Sequence, residues 1–111
     1  MIPRLNRELI LERPVRVADG AGGFESSWDA LGILWAEVTP GRDGLHQRAD
    51  LASHRNLLKI IVRGAPPGAS NRPQPGQRFR DGERIYMIDA VQEADASGRF
   101  LRCRAREEVL A

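Results

Sequence analysis

Lysine is almost missing from this chain: Lys59 is the single one, against sixteen arginines. Arginine makes forked, planar contacts with carboxylates and phosphates and is enriched at protein interfaces, where lysine is depleted. A GC-rich genome yields the same bias with no function attached. Cysteine is equally scarce. With Cys103 alone, an intrachain disulfide and a cysteine metal cluster are both excluded, which fits a reducing compartment. There are two Trp, one Tyr and three Phe, too few for a broad base-stacking platform. No long apolar run occurs. Leu31 to Ala36 and Ile60 to Val62 fall far short of the roughly 20 residues a membrane helix needs. The opening MIPRLNRELI lacks the apolar core of a secretion signal. No membrane partner is expected, and the protein is expected to be made and used in a cytoplasm. The formal net charge of +2 shows no strong excess of either sign.

What is abundant is punctuation. Eleven glycines and seven prolines in 111 residues favour short strands over long helices, and the length suits one domain, 1–111. Residues 5–13 alternate imperfectly, with Leu5, Leu9 and Leu11 on one side and Glu8, Ile10 and Glu12 on the other. This predicts a strand stopped by Pro14. DGAGG (19–23) reads as a turn or mobile loop. A second strand is expected over 32–39, a polar loop over 41–55, and a central apolar strand over 56–63, NLLKIIVR. Residues 64–76 hold four prolines and three glycines and read as a long loop with polyproline-like stretches. QRFR, a tight Asp81-Gly82 turn and ERIYMIDAV form a hairpin, and 99–107 is the closing strand. The sum is an all-β chain: a small antiparallel β-barrel of about six strands with long mobile loops.

Catalytic chemistry finds little support. His46 and His54, with Asp43 and Asp50, match none of the compact zinc spacings. No G-x-S-x-G or phosphate loop occurs, and every serine lies in a loop or turn. Cys103 alternates with Leu101 and Ala105 and reads as a buried, inert thiol. No enzyme and no cofactor is expected. Arg102, Arg104 and Arg106 form a basic stripe on the last strand, able to track a phosphate backbone or to pair with carboxylates of a neighbouring strand or subunit. Trp35 is expected in the core; Trp28 fits either core or interface.

The order of motifs carries a resemblance. RLNRELILERP (4–14) precedes DGAGGF (19–24), Trp28 and LWAEVTP (34–40); a polar loop and an apolar strand follow, then PGQRFRDGERIYMI (75–88) and an arginine-rich closing strand. This series resembles the phage head-tail joining, or head completion (stopper), family, including the head-tail connector of gene transfer agents.

The resemblance implies a β-barrel subunit of a homo-oligomeric ring, of about six copies or alternatively about twelve. The ring sits in the neck of a virion or gene-transfer-agent particle, below a portal or adaptor ring and above a tail terminator or tail tube, with packaged DNA in its channel. Such a ring closes the filled head and docks the tail. Two loops are candidates for subunit-interface or channel contacts. One carries Asp19, Gly20, Gly22 and Gly23, with Trp28 just beyond; the other carries Arg42, His46, Arg48 and Arg55. A tail terminator and a small single-stranded nucleic-acid-binding barrel are the alternatives.

Overall fold

Alternation in the sequence becomes six strands. The computed structural model describes residues 2–41 and 56–108. The strands are β1 (Arg7–Ala18), β2 (Phe24–Pro40), β3 (Leu57–Arg63), β4 (Arg78–Asp81), β5 (Arg84–Glu93) and β6 (Phe100–Glu107). All pairs are antiparallel. The order β1-β2-β3-β6-β5-β4 closes on itself through three β1–β4 pairs, Ile10 to Glu12 against Arg80 to Arg78. Closure removes the exposed sheet edges that invite aggregation.

Alternate residues point inward and fill the barrel: Leu9 and Leu11 from β1, Ile60 and Val62 from β3, Phe79 from β4, Tyr86 and Ile88 from β5, and Leu101, Cys103 and Ala105 from β6. Each large aliphatic or aromatic side chain so buried contributes about 1.5–3 kcal/mol. Ile61 is also buried, yet it lies outside this cluster, flanked across the ladders by Glu37 and Arg102.

Several boundaries differ from the sequence reading. β1 does not stop at Pro14; it runs to Ala18, and β2 begins at Phe24 rather than near 32. The residues past the β1–β4 ladder pair only with β2, so Pro14 occupies an edge where its missing N–H breaks no ladder bond. A bulge between Leu11 and Glu12 shifts the register, with Leu31 as the extra residue on β2 and Gly32 at φ +151. Glu12 pairs with Arg78 on the outer face, opposite the inward Leu11–Phe79 pair, and is buried there against the Arg78 and Arg80 side chains. The β4–β5 turn is Gly82–Glu83, one residue later than the Asp81-Gly82 reading. Gly82 at φ +63 supplies the positive first position that a two-residue hairpin turn requires. Residues 64–76 form a loop of successive turns. Ala69 N donates to Pro66 O, Arg72 N to Ala69 O and the Arg72 guanidinium to Ala65 O, with Pro73 fully buried.

Trp35 is not in the core. It is 53% exposed, on the outer face of β2 next to Glu8 of β1, because inward-facing Leu34 and Ala36 bracket it.

Candidate functional site: a hairpin arm and a basic sheet face

Beyond the bulge, β1 and β2 leave the barrel as a two-stranded arm. Six residue pairs, Arg13↔Asp29 to Ala18↔Phe24, belong to it. At about 3.4 Å per residue the arm is about 20 Å long. One face carries Pro14, Arg16 and Ala18 with Phe24, Ser26 and Trp28; the other carries Arg13, Val15 and Val17 with Glu25, Ser27 and Asp29. Two-stranded ribbons are marginal alone, so something must brace this one.

The tip is braced locally. Asp19 accepts hydrogen bonds from the amides of Ala21 (2.8 Å) and Gly23 (3.1 Å), and its own N–H donates to Gly23 O. Gly20 and Gly22 adopt φ +81 and +86, and a Cβ on Gly23 would lie 2.8 Å from an Asp19 carboxylate oxygen. The structure thus unites Asp19, Gly20, Gly22 and Gly23 in one hairpin turn. Beside it, Arg16 stacks on Phe24 at 4.3 Å.

The base is braced by a charge cluster. Arg78 donates to the buried Glu12 carboxylate at 2.7 Å, and Arg80 reaches the other carboxylate oxygen at 3.1 Å. The Arg78 guanidinium lies 4.1 Å from the Trp28 ring centroid. Trp28 is therefore a half-buried bracket between arm and barrel. The sequence reading missed Glu12 and Arg78, which are 66 residues apart. Their only signal was a carboxylate beside a β1 core position and an arginine on the next hairpin.

The basic stripe lies on β6, away from the arm. Arg106 donates to Asp89, the extra residue of a second bulge on β5, at 2.8 Å, and this carboxylate raises its pKa. Arg102 lies within hydrogen-bonding reach of the Gln92 side chain. Next to them Arg84 holds Glu107 with two 2.8 Å bonds, which keeps the Glu107 carboxyl below its ordinary range. Pairing across neighbouring strands, not an open phosphate track, is what the described side chains show for Arg106. Where β3 and β6 meet the end of β2, a groove of about 300 Å³ is lined by Gly41, Leu57, Leu58, Lys59, Arg102 and Arg104.

Cys103 is buried, and burial pushes its thiol up to about 12. Among the described residues no three of His, Cys, Asp and Glu converge as metal ligands. Arg42, His46, Arg48 and Arg55, with His54, Asp43 and Asp50, lie outside the described residues.

The family described as phage head completion protein matches residues 1–108. This chain belongs to that family. A chain from the virion of a native gene transfer agent particle is 50% identical to this head completion protein, with a TM-score of 0.77, covering 99% of this chain and 100% of that one. Protein SF1141 from Shigella flexneri 2a, known from a solution structure, has a TM-score of 0.71 at 18% identity, covering 99% of this chain and 98% of its own. That likeness shows a shared fold. No curated protein matches. The family is one of structural particle proteins, and a head-completion structural role follows for this chain.

Proposed function

We propose that this head completion protein is a stopper subunit, built into a ring in the neck of a phage or gene-transfer-agent particle and assembled in the bacterial cytoplasm. The ring sits between the portal or adaptor above and the tail terminator or tail tube below. It closes the DNA-filled head and offers the tail a docking surface. The observation that carries this reading is the 50% identity, over essentially both whole chains, with a chain of a gene-transfer-agent virion.

The surface supports it. A closed barrel that works by contact needs apolar and arginine-rich patches outside its core. Here Phe24, Ile33 and Trp35 are exposed, and Arg16 and Arg78 stack on aromatic rings. The segment with Arg42, His46, Arg48 and Arg55 is assigned to the DNA channel on its charge. The ring is of about six copies, a closed head-to-tail assembly.

The test is electron microscopy of particles from cells lacking this protein. Heads that package DNA, lose it and carry no tails are expected. Tailed particles that retain DNA would refute the reading.

A further inference from the structure

The arm and the groove sit at opposite ends of one strand. β2 starts at the arm tip with Phe24 and ends at Pro40, beside Gly41 of the groove. Glu25 at the tip is 14 residues from Thr39, the ladder partner of Lys59. At roughly 3.3 Å per residue that is about 45 Å along the strand. The longest dimension of the chain is 50 Å. An arm therefore cannot reach the groove of its own chain.

The two surfaces are complementary. Val17 and Phe24, on opposite faces of the tip, are 48% and 61% exposed. They are accompanied by two carboxylates, Asp19 and Glu25, against one cation, Arg16, which lies on Phe24. The groove offers Leu57 and Leu58 with the cations Lys59 and Arg102. Apolar knob meets apolar floor, and negative rim meets positive wall. Among the described residues, the β2 edge away from β1 is also without a strand partner from Phe24 to Trp35, since β3 pairs only from Ala36 onward.

We infer that the occupant of the groove is the arm tip of a second copy of this chain. The inference rests on the ring reading above and specifies its subunit contact. Because knob and groove are different surfaces at opposite ends, the contact is head-to-tail: each copy gives one arm and receives one. A ribbon about 20 Å long covers less than the roughly 800 Å² per partner of a standard interface. A single contact is thus weak, and closure around a ring makes the set stable. Free subunits stay dissociated until the particle supplies a platform.

Lys59 is the single lysine, which makes the contact directly readable. Assembled particles carrying the full chain are treated with a zero-length carbodiimide, which joins an amine to a carboxylate already in contact with it. Expected are multimers at multiples of 12.4 kDa and a linked peptide pair joining Lys59 to Glu25 or Asp19. That link is necessarily between copies, given the distance within one chain. Lys59→Arg keeps the charge and removes the side-chain amine, so the Lys59-linked peptide pairs disappear while the protein still enters particles. Copy number per particle is measured in parallel. Several copies around the neck with Lys59 joined to no arm carboxylate overturn the arm-in-groove contact alone. A single copy per particle overturns the ring reading itself.

Discussion

Replacing Arg78 with alanine removes the side chain that ties the arm to the barrel. In the folded protein Arg78 Nε donates to Glu12 Oε1 at 2.7 Å, with the two side chains only 18% and 5% exposed. A hydrogen bond to a charged, largely buried partner contributes about 1.5–3 kcal/mol. Loss of the guanidinium from the Trp28 face costs a further ~0.5–1 kcal/mol. The sum, about 2–4 kcal/mol, stays below the worst case for an orphaned buried charge because Arg80 still reaches Glu12 at 3.1 Å. For a domain of this size about 1 kcal/mol moves Tm by roughly 4 °C, so Arg78→Ala lowers Tm by roughly 8–16 °C. Calorimetry and urea melts measure the loss, and hydrogen exchange locates it: amides of the arm lose protection first. Arg84→Ala is the control. Its partner Glu107 sits on a half-open surface, and exposed pairs of this kind are worth about 0–1 kcal/mol. A loss under about 1 kcal/mol for Arg78→Ala, with unchanged arm exchange, would refute the bracing argument.

Trp35→Ser, at an exposed outer position, changes stability by less than about 1 kcal/mol, whereas a core tryptophan would cost about 3–5; a urea melt separates the two. Gly20→Ala places a side chain at φ +81 and costs about 1–2 kcal/mol, felt in the arm's exchange rates and not in the barrel's. Cys103 resists thiol reagents in the native state at pH 8 and reacts on unfolding. Its thiol rises from 9 to about 12 through burial, so the folded state holds a proton that the unfolded chain releases. That stabilisation is complete below pH 9 and is lost as pH rises toward 12, by up to roughly 4 kcal/mol. Burial shifts Tyr86 in the same direction, so Cys103→Ala weakens the alkaline slope in a pH series of urea melts without abolishing it.

The barrel was legible in the sequence because its signals are local. Leu101, Cys103 and Ala105 alternate with Phe100, Arg102, Arg104 and Arg106, and the structure buries the first three while the second set faces outward. NLLKIIVR is the strand that pairs β2 with β6. The arm was not legible. Pro14 reads as a strand breaker by the rules for buried strands, yet a ribbon outside the barrel has no buried face to fill and no third strand to satisfy. Trp35 misled for the related reason that its hydrophobicity was taken as a vote for the interior. Its neighbours Leu34 and Ala36 had already claimed that face through the strand's period of two.

The candidate site divides in the same way. DGAGG was recognised as glycine-permitted backbone, and Asp19 turned out to organise it by accepting two amide protons. The Glu12–Arg78–Trp28 bracket depends on the β1–β4 closure, which sets Glu12 opposite Arg78 on the outer face; nothing in the residue pattern around Glu12 announces that long-range pairing. Yet that pairing, with Arg80 on the second carboxylate oxygen, accounts for Glu12 being the only polar residue buried among those described. A carboxylate there is costly by itself and is retained with two arginines around it. Its location at the single point where the ribbon leaves the barrel ties that cost to the arm. A chain that needed only a stable barrel would do as well with leucine at that position. A chain that holds a ribbon of about 20 Å at a fixed angle to its barrel needs a directional anchor, which a forked guanidinium on a carboxylate supplies and an apolar contact does not.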